Sequence, residues 1–600
     1  MAYCEQCGAR LKSNALFCEK CGEPTLRCSK CGAGIRPEMH FCENCGAPAP
    51  KPESESVSES ASESNSAEQS EHRRSATSRP ASTRENPQEM PLDDEDKWSF
   101  GSLFSIFSSQ KTFTLFQEKN WKQQWESAAK KARNQELCII MTDEAKLLAQ
   151  MGCTQKELRT VLKDYLDAIR DHGVSYYYLD LAENAVCGKT DSEDVDKIVD
   201  VLKTISMTAR PKYLFILGDN TIVNVAIWDN MAGDSDPYVK SDLPYCTLST
   251  DSPWDKSKFN YAKMIRTSRL PTIKNGLQAF KAYFANAAKG IGHAGMPCAS
   301  GVSAEVWKAE SAYEFKRISG NKIETSPVTT KENLLAKVDR DKTNVYFFNL
   351  HGSDSAKYWY GQRGYIYPEC VQPSFFENAE KPCFIGVEAC YGGRYIDLEP
   401  SESILRTAMA NNCLSMLASS EIAYGTSMPK GSCADLIVGE YLAKIKNGAT
   451  AGDAYVAGLV RLMKEDPDDA EIKTLAEFSL YGDPSACMGI NPNLASAKAM
   501  LSEVPKGIDV PIPDVLGPLR LLEAKIDRKL EQAIDRFVTK NYLPDLSSEM
   551  KKDSMHVKSF RIDRLGLMER MYFMNHQTVP QIVKVYFNEK GDIHRTYVSK

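Results

Sequence analysis

Nowhere in its 600 residues does the chain hold an apolar run approaching the roughly 18 to 20 residues a helix needs to cross a bilayer, so no membrane-spanning helix is expected. The opening MAYCEQCGAR lacks a basic stretch followed by an apolar one, and no secretory leader is read there. Excess charge of one sign is missing as well. Seventy-four Lys and Arg against 80 Asp and Glu leave a formal net charge of -6, which argues against a surface built as a whole for nucleic acid or anionic lipid. Aliphatic residues nearly vanish from about 49 to 96, through KPESESVSESASESNSAEQSE, HRRSATSRPASTRENPQ and PLDDEDKW. Such a stretch has nothing to pack, and a disordered Ser/Glu/Pro-rich linker is expected.

Cysteine is abundant but not in a disulfide pattern. Eight of the 19 cysteines lie in the first 45 residues, and the other 11 are scattered. The eight form an internal repeat: Cys4-x2-Cys7-x10-Cys18-x2-Cys21 recurs 24 residues later as Cys28-x2-Cys31-x10-Cys42-x2-Cys45. A glycine follows the second Cys of each pair (Gly8, Gly22, Gly32, Gly46), which lets backbone amides turn toward the thiolates. Each copy therefore supplies four ligands for one tetrahedral Zn²⁺, and two structural zinc ions are expected over residues 1–48. Units of about 24 residues bury too little to fold alone, so metal supplies the folding free energy. Thiolate-zinc chemistry without disulfides fits a reducing compartment, and a cytoplasmic location is expected.

Cys4 to Cys45 resembles the double zinc ribbons placed before many prokaryotic regulatory proteins. The resemblance implies recognition or tethering but not a ligand, and a regulatory protein partner at the ribbons or linker is expected. Residues 1–48 are short of the Lys, Arg and aromatic density of a phosphate-binding face, which argues against nucleic acid.

Residues 97–134 form a connecting segment whose aromatics, from Trp98 to Phe116, follow no clear period. Over 135–492 apolar strands alternate with amphipathic helices, as in an α/β domain with a mostly parallel sheet flanked by helices. Strands are expected at Ser175–Leu179, Tyr213–Leu217, Val345–Leu350, Cys383–Val387 and Leu414–Ala418. Helices are expected at Thr154–Asp171, Asp194–Met207, Lys331–Val338, Glu402–Asn411 and Ser432–Ile445. Residues 493–600 read as a small α+β appendage. It has a helical face through Leu519, Leu522, Ile526, Leu530, Ile534 and Phe537, then strands near Met568–Met574, Ile582–Phe587 and Ile593–Val598.

Chemistry concentrates in NVYFFNLHGS (344–353) and CFIGVEACYGG (383–393), two buried strands that each end near one reactive residue and a glycine. Both side chains are expected at an exposed carboxyl edge of the sheet, where open α/β folds bind ligands. His351 beside Cys390 would lower the thiol's pKa and later protonate a leaving amine. Gly352 and the Gly392-Gly393 pair would admit a peptide backbone, and the amides of Gly352 and Cys390 are candidates for an oxyanion hole. A buried core cysteine is the structural alternative. His172 reads as a helix C-cap residue, His293 as a reserve partner in a glycine-rich loop, and Asp483 as a turn residue.

From about 211 to 490 the chain resembles the gingipain family of caspase-fold cysteine peptidases, through PKYLFILGD, SDLPYCTL to RTSRLP, MPCASGVSAEVWKAES, NLHGS, VEACYGG and FSLYGDPS. The family's catalytic His falls on His351 and its nucleophile on Cys390. The resemblance implies an endopeptidase acting on protein or peptide, with cleavage after Arg or Lys through an acidic pocket residue at Glu310, Glu305 being the alternative. It places Tyr424 near an aromatic pocket wall. Where some members carry an acidic residue supporting the His, this chain has Ala299 or a local shift. A helix starting near Ser303 would instead leave Glu310 on a solvated face. A catalytically silent scaffold, with ribbons that bind a protein or nucleic acid, is the competing reading.

Overall fold

The computed structural model describes residues 136–489, 521–542 and 555–600, with short interruptions, and the antiparallel pair Leu26–Arg27 and Gly34–Ile35. The eight candidate zinc ligands, the expected linker and the aromatic connecting segment lie outside the described residues. The chain divides into two compact units, Met1–Asp94 and Glu95–Lys600. The appendage therefore shares a unit with the α/β part.

The strands that build the second unit are β1 (Glu136–Thr142), β2 (Val174–Asp180), β3 (Tyr213–Leu217), β4 (Arg266–Leu270), β5 (Ala299–Ala304), β6 (Glu324–Ser326), β7 (Val345–Asn349), β8 (Cys383–Val387), β9 (Cys413–Ser419), β10 (Tyr424–Gly425) and β11 (Phe478–Gly482). All but β10 form one ten-stranded sheet in the order β6-β5-β7-β8-β9-β11-β4-β3-β1-β2. Neighbours run parallel within each half, and the halves oppose one another where β9 meets β11 antiparallel. Every residue of β3, β7 and β8 is buried. Continuous burial is what helices on both faces of a parallel sheet impose, and it explains unbroken apolar runs such as YLFIL.

Strand β4 (RTSRL) carries no such run, because its polar side chains are buried with partners. Arg269 donates to both carboxylate oxygens of Asp242 (2.9 and 2.6 Å) and to the carbonyls of Gly218, Asp219 and Val223. Arg266 pairs with Asp453 at 2.8 Å. Helix α1 (Gln155–Ala168) begins at a capping box of Thr154 and Glu157, and α2 (Val195–Ala209) at an Asp194 cap. Helix α3 (Lys308–Ile318) follows β5 and one turn of 3-10 helix, so Ser303 lies in a strand rather than at a helix start. Helix α4 (Cys433–Lys446) starts at a Ser432/Asp435 capping box, and α5 (Asp469–Glu477) at one of Asp468 and Glu471. The helix expected over Lys331–Val338 shortens to Leu334–Lys337.

The C-terminal region differs from expectation at its start. Leu522 lies in a strand, β12 (Leu521–Glu523), and the helix α6 (Arg528–Asn541) begins only where Asp527 caps the amides of Lys529 and Leu530. Strands β13 (Met555–Ile562), β14 (Leu567–Met574), β15 (Gln581–Phe587) and β16 (Ile593–Ser599) complete an antiparallel sheet ordered β10-β16-β15-β14-β13-β12. Its first strand, β10, comes from the α/β part. Along β15, Val583, Val585 and Phe587 pack on Ile534 and Val538 of α6, whereas Ile582 and Tyr586 share a core with Cys390, Ile422, Tyr424 and Cys433. The two-residue period thus presses one face onto its own helix and the other onto the α/β part.

Polar contacts anchor the second face to the N-terminus of α5. Lys584 Nζ lies 2.5 Å from Asp469 and 3.0 Å from Glu569, and the Tyr586 hydroxyl donates to Asp469 at 2.7 Å. Arg595 donates to Asp468 and Glu471 (2.9 and 2.7 Å), and the Tyr597 hydroxyl to Asp468 at 2.7 Å. All four side chains come from the β15–β16 hairpin.

Candidate active site

Strands β7 and β8 are parallel neighbours in register from Val345/Phe384 to Phe348/Val387, so the chain leaves both at one edge about 5 Å apart. His351 follows two residues after β7 and Cys390 three after β8. Gly352 lets these segments touch: a Cβ there would fall 1.7 Å from the Cys390 carbonyl oxygen. Past Cys390, Tyr391 adopts φ 52°, a left-handed conformation rare for a bulky residue. The Tyr391 hydroxyl donates to Asp236, whose other oxygen accepts from the Ile422 amide (2.8 Å) and Lys473 Nζ (2.5 Å). Asp236 therefore ties the residue after Cys390 to the neighbouring segment at Ile422, a role no sequence spacing announced.

The His351 ring is held by Gln362. Its Nε2 lies 2.7 Å from Gln362 Oε1, and the Gln362 amide nitrogen donates to Gly364 O and the Tyr367 hydroxyl, both at 2.8 Å. With that nitrogen committed, the oxygen faces the ring, Nε2 carries the proton, and the basic lone pair sits on Nδ1. Ala299 is not near this position. It pairs with Val345 at the opposite end of β7, and the supporting position falls to Gln362.

Neither reactive residue lies on an exposed edge, contrary to expectation: Cys390 is 0% and His351 1% exposed. The His351 ring is packed against Trp307 and Tyr367 (4.3 and 5.2 Å between centroids), and Cys390 lies under β16. That strand pairs antiparallel with β10 (Tyr424 with Ser599, Gly425 with Val598), and the next residue, Lys600, donates its amide to Ala423 O at 2.9 Å. The Cys390 amide donates to the main-chain oxygen of Lys600 at 3.0 Å. Burial pushes the Cys390 thiol well above its usual pKa, with the Glu477 and Asp236 carboxylates adding to the rise, and Sγ lies 3.5 Å from Ala423 O.

The Lys600 side chain enters a closed acidic pocket. Nζ lies 2.8 Å from Asp435 Oδ1, 3.6 Å from Glu388 Oε2 and 4.3 Å from the centre of the Trp307 ring, which also packs against His351 at 4.3 Å between centroids. Glu310 completes the group, with carboxylate oxygens of Glu310, Glu388 and Asp435 all within 4.8 Å of one another. Asn349, at the end of β7, donates to Glu310 at 2.9 Å. Asp435 is fixed by the amides of Thr426 (2.8 Å) and Ser432 (3.0 Å). Burial raises the carboxyl pKa of Glu310 and Glu388 well above the usual range, and the Asp435 charge adds to it. Burial alone would lower the Lys600 ammonium, but Asp435, Glu388 and Glu310 hold it above its ordinary value. Gly425 shapes the slot, since a Cβ there would lie 2.0 Å from Lys600 Cε.

Glu310 is thus fully buried, not on a solvated helix face, whereas Glu305 pairs with Arg363 at the surface. Tyr424 contributes backbone to the cleft, while its hydroxyl donates to Asp234 and its ring faces Lys584 and Lys473. The other two histidines of the α/β part are engaged elsewhere, His172 Nε2 with Ser485 O (2.8 Å) and His293 Nδ1 with Ile291 O (2.9 Å). Asp483 is a buried hub for Tyr165, Tyr176 and Ser485. All eleven cysteines from Cys138 to Cys487 are free thiols. Among the described residues no helix is long and apolar enough to cross a membrane.

Residues 132–488 match the family model described as peptidase family C25, and residues 4–46 match that of the double zinc ribbon. The ribbons imply structural Zn²⁺ sites. A solved structure titled "Structure of Protease" is 12% identical, spans 78% of this chain and 91% of its own, and superposes with a TM-score of 0.40. No curated protein matches the chain.

Proposed function

Because the chain belongs to peptidase family C25, a family of cysteine peptidases, we propose that it cleaves peptide bonds on the carboxyl side of lysine, with Cys390 as nucleophile and His351 as proton carrier. One observation carries the specificity: a lysine side chain already lies in a carboxylate pocket while its main-chain oxygen sits on the Cys390 amide. A substrate lysine placed the same way presents its carbonyl carbon to Sγ. His351 Nδ1 takes the thiol proton as the S–C bond forms, and the oxyanion rests on the Cys390 amide, with that of Gly352 as second candidate. Collapse breaks the C–N bond, and the imidazolium returns its proton to the departing amine. Water then hydrolyses the thioester with His351 again as base.

Gln362 serves as a positioning residue that fixes the ring and its tautomer. Asp435 supplies the charge that pairs with the P1 cation, which would lose several kcal/mol of solvation without a partner, and Glu310 and Glu388 line the pocket beside it. Arginine is the second P1 candidate; the closeness of Gly425 to Lys600 Cε favours the slimmer lysine stem. The zinc ribbons act in partner recognition, and the free thiols favour a reducing, cytoplasmic setting. A positional-scanning peptide library tests the reading. Preference for Asp or an apolar residue at P1 would overturn the pocket assignment, and activity retained in Cys390→Ala would overturn the nucleophile.

A further inference from the structure

Resting on that reading of the cleft, we propose that the protein's own C-terminal strand is its inhibitor: β16 takes the substrate's path along β10, and Lys600 fills the P1 pocket until the strand is withdrawn.

Three independent features of Lys600 match a bound substrate residue. Its strand lies antiparallel to β10 and its own amide donates to Ala423 O, the recognised way for an extended peptide to join a sheet edge. Its main-chain oxygen receives the Cys390 amide, the donor assigned to the oxyanion. Its ammonium ends among Asp435, Glu388 and Glu310 and is itself 0% exposed.

Buried lysines that only fasten this fold also gather several carboxylates, Lys473 among Asp234, Asp236 and Glu477 for one. What sets Lys600 apart is that its main-chain oxygen also receives the amide of the nucleophile, a contact that fastening does not require. The β15–β16 hairpin is moreover clamped to α5 through Lys584, Tyr586, Arg595 and Tyr597, which presents the strand to the cleft at a fixed position. A segment tethered in this way acts at an effective concentration on the order of millimolar, enough to outcompete dilute substrates.

The test uses the full chain and two readouts, Cys390-dependent hydrolysis of a fluorogenic Lys peptide and alkylation of Cys390 by iodoacetamide, followed on the Cys390 peptide by mass spectrometry. If the closed form holds more than about 90% of the molecules, Lys600→Glu raises both rates about tenfold or more. Arg595→Ala, which loosens the hairpin outside the pocket, raises them in the same direction. The synthetic peptide IHRTYVSK, residues 593–600, then inhibits the Lys600→Glu variant competitively, and the same peptide ending in Glu does not. Equal hydrolysis and equal alkylation in wild type and variants would overturn self-inhibition while leaving cleavage after lysine standing. Absence of hydrolysis in every variant, with alkylation still released by Lys600→Glu, would instead overturn the peptidase reading and support occupancy of the cleft by the strand. Absence of both would overturn both.

Discussion

Cys390 and His351 are placed by adjacent strand ends, a glycine contact and a left-handed Tyr391, with Asp236 tying down Tyr391 and Gln362 holding the ring. Alanine at either position therefore abolishes cleavage while leaving the fold intact, whereas Cys370→Ala and Cys383→Ala stay active; circular dichroism beside the peptide assay checks this. The Lys600→Glu background is the suitable one for kinetics. There Gln362→Glu places a carboxylate against His351 Nε2 and favours the imidazolium, moving the acidic limb of the kcat/KM profile upward by about one pH unit. An unchanged limb would mean that Gln362 does not position the ring. In the same Lys600→Glu background Asp435→Asn costs Lys substrates on the order of 2 to 5 kcal/mol in kcat/KM, the range for removing one partner of a buried charge pair, while iodoacetamide alkylation of Cys390 stays nearly constant. Equal losses in both reactions would assign Asp435 to the fold.

Elements were legible where burial is apolar and local. YLFIL and CFIGV match β3 and β8 residue for residue, and the Thr154, Asp194 and Ser432 caps stand at their expected helix starts. Strand β4 was hidden because ion pairs, not aliphatics, bury it, and β5 (ASGVSA) because close packing demands small residues, a Cβ on Gly301 falling 2.9 Å from Phe315. His351, Cys390 and Glu310 could be named from motifs. Glu388, Asp435, Gln362 and Lys600 could not, since each takes its role from chain segments brought together only in the folded molecule. Asp435 reads in sequence as nothing more than the third residue of a capping box.

The clamp between the C-terminal sheet and α5 carries a pH signature. Burial, reinforced by Asp469, lifts Glu569 from 4.5 to about 8. Between those values the folded state holds a proton that the unfolded chain has released, so this group's contribution is full in acid and is lost as pH rises through about 8. Lys584, Asp469, Asp468 and Tyr586 face the same site. The melting temperature of the full chain accordingly falls between about pH 5 and pH 8, and Glu569→Gln flattens that slope. A slope unchanged in the variant would assign the pH dependence to other groups.

At the scale of the whole molecule, a unit that matches the double zinc ribbon precedes the α/β unit in the chain. The full chain is expected to carry two Zn²⁺, with Cys4→Ser removing about one equivalent, and chelation to leave the far-ultraviolet signal of residues 136–489 largely unchanged. Elemental analysis of protein purified without chelator checks the first point, and thermal melts with and without chelator the second.

The hairpin turn before β16 has a further consequence, one of length rather than composition. Asn588 and Asp592 close the turn around Gly591 at φ 90°, and from there each residue advances the strand by about 3.4 Å and reverses the face its side chain takes. The hairpin therefore works as a ruler that brings the final ammonium to Asp435. One glycine added within 588–592 lengthens a loop that hairpins tolerate, leaves the register intact and keeps the enzyme latent. The same glycine added between Ser599 and Lys600 carries the lysine past the pocket and onto the opposite face, and so releases the cleft with every original side chain still present.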